Sequence, residues 1–521
     1  MTASIHPLLV QRLLEPAAYP HPTGGIRLVE THISWVFLTG SFAYKVKKPV
    51  DFGFLDFTTL ERRHDCCAAE VRISGRFAPE LYLGAVPITG SADEPRVNGA
   101  GPPIEWAVKL VQFDEAERLD NLFDSGRLTA GDCERLGAEI ARVEESLAVA
   151  DVAAGWGTAE RVQGAVAMMT ARLREARPDV GERIAQIERW VDRGLGAAEP
   201  VIAARLARGR VRECHGDLHL ANIVFHEGRM MAFDAIEFSP ELRWIDVASD
   251  VAFLAMDLRS RGRPDLAAHV VSSWMETAND HAAAAVLPIY EVYRAMVRAG
   301  VAALRGDGDG PPGSACAETD RYLDLAERLM CQRRPQLFAT CGVSGSGKTT
   351  LAADVIGAQN AVRLRSDVER KRLAGMRPTE RPIDAAHEQA LYGDAASRRV
   401  YDRLAALART LLDAGTSVVI DAACNRRWQR EMLAATAREC GVPLVWLDFE
   451  MPADVVLGRV AARSAAGTDA SDASVDVVRA QLAEREPITE GELAAGGPGG
   501  PPRRVAVTER ELRDAGFAGR L

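Results

Sequence analysis

Residues 342–349 read Gly-Val-Ser-Gly-Ser-Gly-Lys-Thr, and this stretch decides the fold of the C-terminal part of the chain. A short apolar segment, 336–341, precedes it, and residues 349–356 after it have the apolar spacing of a helix. Glycines in such a loop let backbone N–H groups approach phosphates, and the positive end of the following helix favours their charge. Strand, glycine loop and helix together predict a phosphate-binding P-loop in a parallel α/β sheet.

The residue types in this loop predict individual roles. Lys348 would reach the β- and γ-phosphates of a nucleotide, and Thr349 would ligate Mg²⁺. The predicted ATP-binding set consists of Gly342, Ser344, Gly345, Ser346, Gly347, Lys348, Thr349 and Thr350.

A carboxylate follows the next predicted strand. Residues 361–365 read as a strand and lead directly into Ser366 and Asp367. Open α/β sheets place their substrates at the carboxyl ends of the strands, so Asp367 could accept a proton from a hydroxyl nucleophile. Arg370, one helical turn later, could steer a charged substrate. The alternative is that Asp367 caps the helix, and a cap can also be catalytic.

Two further features suit phosphoryl transfer. The predicted strand 417–421 ends in Asp421, a carboxylate placed for a metal-binding or substrate-positioning role. Arg459 and Arg463 share one face of a predicted helix and could neutralise charge on the transferring phosphoryl group. A solvated helix face is the alternative reading of this arginine pair.

Composition limits the class of protein. A chain of 521 residues exceeds a single core, and 47% apolar with 26% charged residues is ordinary for a soluble protein. The net charge of −10 disfavours bulk binding to nucleic acid or to an anionic membrane. Nine cysteines without CxxC spacing fit a reducing compartment, and residues 1–20 lack the pattern of a signal peptide or anchor. We expect a cytoplasmic protein.

Glycine- and proline-rich stretches suggest the domain organisation. They lie at 305–313 and 494–502 and read as surface loops. The predicted boundary falls just before the P-loop strand, which gives domains of residues 1–333 and 334–521. In the N-terminal half, residues 34–38 and 43–47 read as strands, and one hairpin is predicted over 211–234 within a mostly helical remainder. This is an α+β arrangement.

The predicted hairpin carries a second set of chemical residues. The loop 214–222 contains Asp217 and ends at Asn222, and Asp234 follows the second strand. Phosphoryl transfer needs a base near the acceptor hydroxyl and oxygen ligands that hold Mg²⁺ on the phosphates. Asp217 could be the base, and the hairpin would return Asp234 to the neighbourhood of Asn222.

With these residues the N-terminal half resembles the aminoglycoside phosphotransferase family, kinase-like enzymes that phosphorylate small-molecule hydroxyls. The resemblance rests on His-Gly-Asp at 215–217, followed by Asn222 and Asp234. It implies that Asp217 is the catalytic base, that Asn222 and Asp234 bind Mg²⁺, and that Asp250 orders the catalytic loop.

The same resemblance implies a lysine on a strand of the small lobe. Lys45 is the first choice and Lys47 the second, and both lie on the same strand face. Glu70, in the predicted helix 61–76, would pair with that lysine. Two departures from the kinase pattern are visible: Gly40 alone marks the nucleotide-covering loop, and Asp234 is not followed by Phe-Gly.

Residues 336–510 are similar to small P-loop kinases of the gluconate kinase, chloramphenicol phosphotransferase and polynucleotide 5′-kinase type. The resemblance implies that the aspartate after the second strand acts on the acceptor hydroxyl and that the late helix forms a lid over ATP. The predicted fold class is a bilobal kinase-like α+β fold followed by an α/β P-loop kinase fold.

Three functions remain open from the sequence. The first is a bifunctional phosphotransferase that uses ATP and Mg²⁺ and acts on small-molecule hydroxyls at two sites. In the second, the P-loop half phosphorylates a nucleic acid 5′-hydroxyl, which the acidic charge and the lack of an aromatic and basic strip disfavour. In the third, the N-terminal half senses nucleotide and the P-loop half hydrolyses ATP to drive a partner.

Overall fold

The structure is a computed structural model, and it divides into two compact units. The described residues are 6–53, 55–306, 313–331, 334–377, 380, 390–466, 475–514 and 516–521, with the backbone alone for 463–466. The first unit comprises Met1–Thr129, Arg142–Met168 and Ile202–Asp257, and the second comprises Ala130–Ala141, Met169–Val201 and Leu258–Leu521. The predicted boundary between residues 333 and 334 stays a prediction.

In the first unit, helix α1 (His6–Arg12) is followed by a six-stranded antiparallel sheet. Its strands are β1 (Arg27–Glu30), β2 (Ser34–Leu38), β3 (Phe42–Lys47), β4 (Tyr82–Gly90), β5 (Pro95–Val97) and β6 (Pro103–Val111). They lie in the order β1-β2-β3-β6-β4-β5, so β3 is an interior strand. Side chains alternate along β3, with Tyr44 and Val46 in one apolar cluster and Ala43 in another. Lys45 and Lys47 therefore share the face of Ala43.

Helix α2 (Leu60–Ser74) follows β3 in the chain. It begins at an N-cap, Thr59, whose side chain accepts a hydrogen bond from the backbone N–H of Arg62. Cys67, Glu70 and Ile73 are buried, and their spacing of three residues places them along one face of the helix. This face brings a carboxylate to the sheet among apolar neighbours.

The predicted hairpin over 211–234 is corrected to two separate small sheets. Strand β7 (Val211–Glu213) pairs with β10 (Trp244–Asp246). The hairpin proper consists of β8 (Ile223–His226) and β9 (Arg229–Ala232). The prediction failed because residues 214–222 leave strand geometry and form the loop that carries the chemical side chains.

The remainder of the N-terminal half is helical, as predicted. Its helices are α3 (Leu119–Asp124), α4 (Ala130–Ser146), α5 (Ala159–Ala176), α6 (Gly181–Ala207), α7 (Pro240–Arg243), α8 (Val247–Ser260), α9 (Pro264–Ala278), α10 (Leu287–Arg305) and α11 (Ser314–Leu329). Among the helices that the structure describes, none is both long and apolar enough to cross a bilayer.

A five-stranded parallel sheet organises the P-loop part. Its strands are β11 (Leu337–Cys341), β12 (Ala361–Arg365), β13 (Ser417–Asp421), β14 (Leu444–Phe449) and β15 (Arg503–Val507). They lie in the order β12-β13-β11-β14-β15, and every neighbouring pair is parallel. All carboxyl ends therefore meet at one edge, where α/β sheets bind ligands. The strands β12 and β13 have the bounds that the sequence predicted.

Helices cover both faces of this sheet in the described part of the chain. They are α12 (Lys348–Gln359), α13 (Ser366–Leu373), α14 (Asp394–Asp413), α15 (Arg427–Glu439), α16 (Ala453–Ala466), α17 (Val475–Glu484), α18 (Glu490–Ala494) and α19 (Glu509–Arg513). Phe338, Leu351 and Val445 belong to one buried cluster that joins α12 to the sheet. The predicted fold class, a kinase-like α+β fold followed by an α/β P-loop fold, is confirmed.

Candidate active sites

A chain of ion pairs lies against the six-stranded sheet and consists of two lysines and three carboxylates. Lys45 Nζ donates to Glu70 Oε1 at 3.0 Å and also to Asp234 Oδ1. Lys47 Nζ donates to the other oxygen of Glu70 and to Glu237 Oε1. Glu70 is thus shared by both lysines, whereas Asp234 contacts Lys45. Of the two predicted lysines, Lys45 is the one placed beside a predicted metal ligand.

Burial and charge oppose each other in this network. Burial disfavours the charged form of Lys45, but Asp234, Glu70 and Glu237 outweigh it and raise the pKa of Lys45 well above its usual value. Burial also disfavours the charged form of Lys47, whose side chain is 0% exposed, but Glu237 and Glu70 outweigh it and raise the pKa of Lys47. Burial raises the pKa of Glu237, which Lys47 and Lys45 offset in part. Both lysines are therefore cationic at neutral pH.

The loop before β8 brings the predicted base and metal ligands together. The amide nitrogen of Asn222 donates to Asp217 Oδ2 and to the Asp217 carbonyl, each at 3.0 Å. The N–H of Phe233 donates to the Asn222 carbonyl at 2.8 Å, which fixes the residue before Asp234 against the same loop. His219 Nε2 lies 3.4 Å from Asp217 Oδ2. The predicted base, Asp217, and the predicted oxygen ligands for a metal, Asn222 and Asp234, thus lie close together.

Helix α8 holds this loop through carboxylates. Asp250 accepts hydrogen bonds from the N–H of His215 at 2.8 Å and from the N–H of Gly216 at 2.9 Å. Asp257, which sequence reasoning missed, accepts one from the N–H of Leu220 at 3.0 Å. Asp250 is fully buried, and the hydrogen bonds from these loop amides stabilise its carboxylate there. This placement agrees with the role that the resemblance implied for Asp250.

His215 belongs to the scaffold of the loop. Its Nε2 lies 2.9 Å from the Phe233 carbonyl, which can only accept, so Nε2 carries the proton. Its Nδ1 accepts from the N–H of Asp217 at 3.3 Å. Burial lowers the pKa of His215, and a neutral ring is the form that these two contacts require.

The backbone at Asp234 is strained. Its φ of 63° lies in the left-handed region, which aspartate tolerates better than most residues. The Asp234 N–H donates to Tyr82 Oη at 2.9 Å, and the next N–H, of Ala235, donates to Ser74 Oγ at 3.1 Å. These two contacts from β4 and α2 hold the turn that presents the carboxylate.

The donor set of this site fits Mg²⁺ bound together with a nucleotide. The amide nitrogen of Asn222 is committed to Asp217, so its oxygen is the atom available to a metal, beside the carboxylate of Asp234. In the parts of the chain that the structure describes, no group of three or more His, Cys, Asp or Glu side chains could hold a metal ion. Mg²⁺ commonly takes one or two protein oxygens and completes its shell with phosphates and water, which matches this pair.

The P-loop has the geometry that its sequence predicts. It joins β11 to α12, with Gly345 and Gly347 at φ of 84° and 99°. A Cβ on Gly345 would lie 2.6 Å from the Val460 side chain. Lys348 Nζ donates to the Val343 carbonyl at 2.7 Å. The loop backbone also has an unforeseen partner, because the N–H of Ser344 donates to Gln481 Oε1 on α17 at 2.8 Å.

Asp421 lies beside the start of α12. Its carboxylate lies near the Thr349 hydroxyl and near Asp367. Burial raises its pKa, and the positive charges of Lys348 and Arg363 lower it in part. A threonine hydroxyl next to a buried carboxylate is an oxygen pair suited to Mg²⁺, so the predicted ligands Thr349 and Asp421 are brought together.

Asp367 is placed in the first turn of α13, with an exposed side chain. The N-cap residue of that helix is Arg365, and no side chain caps it, so Asp367 does not act as the cap. Arg370 is engaged with its own unit: its Nη1 donates to the Leu391 carbonyl at 2.8 Å, and its guanidinium lies 4.9 Å from the Tyr392 ring centre. The predicted roles of Asp367 and Arg370 stay predictions.

The two arginines of α16 are described to different extents. Arg459 Nη2 lies 2.8 Å from Glu509 Oε1 at the start of α19, and both side chains are 39% exposed. The side chain of Arg463 lies outside the described residues. Val456 and Val460 of the same helix pack on Val343 of the P-loop, which places α16 over the loop. Thr350, the last predicted nucleotide contact, is exposed.

Comparison with known proteins gives matches at two scales. A protein-family profile described as an AAA domain matches residues 337–488. The protein Rv2004c of Mycobacterium tuberculosis (strain ATCC 25618 / H37Rv) is 30% identical over 455 residues, which cover 85% of this chain and 87% of the relative. Mb2027c of Mycobacterium bovis gives the same values. The chain belongs to the family of Rv2004c.

Solved structures of kinases are also similar to parts of the chain. A choline/ethanolamine kinase family protein from Mesorhizobium loti has a TM-score of 0.38 and 14% identity, over 62% of this chain and 95% of that one. A gluconokinase from Sinorhizobium meliloti has a TM-score of 0.23 and 21% identity, over 36% and 89%. The fold of each part rests on its own strand order and side-chain contacts.

This chain combines a kinase-like α+β fold with an α/β P-loop fold, and sequence reasoning missed several residues that support the two sites. Glu237 and Asp257 were not predicted. One signal was available: two lysines on one buried strand face need more than one carboxylate, yet Glu70 alone was assigned to them. No sequence pattern predicts the contacts of Tyr82 or Gln481, because each lies far along the chain from the residue that it contacts.

Proposed function

We propose that this chain is an ATP-dependent phosphotransferase with two separate sites for magnesium nucleotide, each acting on a hydroxyl group of a small molecule. The first site is built around Asp217, and the second around the P-loop lysine, Lys348. The observation that carries the proposal is the double contact of Lys45 with Glu70 and Asp234. That contact joins a phosphate-gripping lysine to a metal-binding carboxylate in one unit.

At the first site each side chain has an assigned task. Lys45 would hold the α- and β-phosphates, with Glu70 fixing its position. Asn222 and Asp234 would hold Mg²⁺, which neutralises charge on the phosphates when bound. Asp217 would take the proton of the acceptor hydroxyl as the phosphoryl group is transferred. The Asp217 side chain is 36% exposed, so an acceptor hydroxyl could approach it.

At the second site the loop and two strand ends share the work. The backbone N–H groups of residues 342–347 and Lys348 would hold the phosphates. Thr349 and Asp421 would hold Mg²⁺. Asp367, exposed at the same sheet edge as Asp421, would act as base toward the acceptor. Gln481 on α17 would have to release the Ser344 N–H before a phosphate oxygen takes it.

A small-molecule acceptor is favoured over a nucleic acid at both sites. The net charge of −10 disfavours a polyanion, since phosphate contacts dominate nucleic-acid affinity. Arg370, the residue that would steer a charged acceptor, is occupied by the Leu391 carbonyl. A polynucleotide 5′-kinase and a nucleotide-sensing ATPase are therefore the alternative outcomes of the test.

The test is ATP consumption by the full chain, with and without candidate sugars, aminoglycosides and 5′-hydroxyl oligonucleotides. Acceptor-dependent ADP release supports the proposal, and the responding acceptor identifies the class. Hydrolysis that no acceptor changes would favour the ATPase alternative.

Two single variants assign the activity to its site and serve as controls for each other. Lys348→Ala should abolish turnover at the P-loop, since no cation then contacts the β- and γ-phosphates. Asp217→Asn should abolish transfer at the first site and leave ATP binding in place, because the base is lost and the phosphate contacts are kept. Equal loss of both activities in either variant would contradict separate sites.

A further inference from the structure

Helix α9 covers the open edge of the P-loop sheet, although its sequence lies in the kinase-like half. Strand β12 is an edge strand, paired with β13 on one side. On its other side the N–H of Arg363 donates to Ser272 Oγ of α9 at 3.0 Å. Ala268 of α9 belongs to the same buried cluster as Phe338 of the sheet. The helix is therefore part of the P-loop core, and it provides a hydrogen-bond partner for one backbone N–H of the open edge.

The C-terminal turn of α9 carries a carboxylate that is committed to one arginine. Glu276 Oε2 accepts from Arg365 Nε at 2.8 Å, and its Oε1 accepts from Arg365 Nη2. The Glu276 carbonyl accepts from Arg372 Nη2 of α13 at 2.6 Å. Only 12% of the Glu276 side chain is exposed. A two-point contact of this kind fixes the plane and position of the guanidinium.

The position of Arg365 makes this contact matter. Arg365 is paired in register with Asp421 on β13, and partners in a sheet register present side chains on the same face. Asp421 is the carboxylate that lies near the Thr349 hydroxyl. A guanidinium released from Glu276 would thus lie beside a buried carboxylate whose oxygens are needed for Thr349 and for a metal.

We propose that Glu276 is a positioning residue of the P-loop site, which keeps Arg365 from forming an ion pair with Asp421. The inference rests on the proposed function of that site. It adds a residue from the kinase-like half to the machinery of the P-loop half, and it acts through Arg365 without touching nucleotide or acceptor.

The test measures binding of magnesium ADP and of metal-free ADP by calorimetry. It uses the full chain carrying Asp234→Asn, which removes a metal ligand from the first site. Glu276→Gln should weaken the magnesium-dependent part of the affinity about tenfold, a size between those of exposed and buried ion pairs. The double variant Glu276→Gln with Arg365→Gln should recover to within about twofold of the parent, because the competing charge is gone.

Control variants separate this role from simple anchoring of α9. Asp265→Asn breaks the ion pair with Arg263 at the other end of the same helix and should leave the magnesium dependence unchanged. An unchanged affinity in Glu276→Gln would overturn the proposal, as would a double variant as weak as the single one. If Glu276→Gln unfolds, the double variant alone decides: affinity near the parent supports the proposal, and weak affinity overturns it. A parent that binds ADP no better than its Lys348→Ala form would overturn the proposed function as well.

Discussion

Glu213 is predicted to link acid stability to the position of the helix that carries Glu70. It ends β7, directly before the loop 214–222, and its side chain is 5% exposed. Arg72 and Arg76 of α2 donate to it at 2.9 and 2.7 Å, and Arg243 donates at 3.1 Å. Burial opposes its ionisation, but these three arginines outweigh burial and lower its pKa to about 2.

The magnitude follows from that pKa. A fall from an ordinary value of 4.5 to about 2 corresponds to about 3 kcal/mol of stabilisation at neutral pH. Because the folded pKa is depressed, the unfolded chain takes up the proton first. The stabilisation is therefore complete above about pH 5 and is lost as pH falls toward 2, with about 0.8 kcal/mol gone at pH 4.

The perturbation is Glu213→Gln. The assay is urea denaturation, monitored by hydrogen exchange in peptides from α2 and β7. These peptides report the first unit alone. We expect the free energy of unfolding of the variant to be about 3 kcal/mol below that of the parent at pH 7. At pH 4 this difference should be smaller by about 0.8 kcal/mol. Glu61→Gln, at an exposed position in the first turn of α2, is the matched control and should cost only a few tenths of a kcal/mol.

A gap between Glu213→Gln and the parent that stays constant from pH 7 to pH 4 would refute the reasoning. It would mean that the three arginines stabilise Glu213 no more in the folded chain than water does in the unfolded one. A functional readout accompanies the physical one. If the arginine cluster positions α2, turnover at the first site should fall in the variant at pH 7, since Glu70 loses its fixed support.

Three further predictions address the two sites. Lys45→Met should lower turnover at the first site about 10²–10³-fold with folding retained. Lys47→Met should chiefly lower the free energy of unfolding, by about 3–5 kcal/mol, because it leaves buried carboxylates unpaired. Equal turnover in both variants would contradict the assignment of Lys45. Asp250→Ala should release two loop amides and reduce first-site turnover about 10²-fold, measured beside an unchanged ADP affinity. Gly345→Val should abolish nucleotide binding at the P-loop through a clash with α16, while Gly458→Ala, which has open space, should bind normally in the same calorimetric assay.

Local signals sufficed for much of the fold. The P-loop and the strands β12 and β13 could be predicted because their patterns are short and uninterrupted along the chain. The hairpin over 211–234 was predicted too large, because no local signal marks where strand β7 ends and the loop 214–222 begins. The choice between Lys45 and Lys47 stayed open for a similar reason: both occupy the same strand face, and their partners come from residues far along the chain.

By itself the sequence determined which residues can do chemistry: a lysine and a threonine in a glycine loop, and the acidic and amide residues around Asp217. Only the tertiary structure decided which carboxylate each cation contacts. Glu276 illustrates the difference, since it is 89 positions from Arg365 and carries no motif. The physical reason is that local propensity and spacing act over one or two turns, whereas an ion pair depends on which elements pack together, and packing is a property of the whole core.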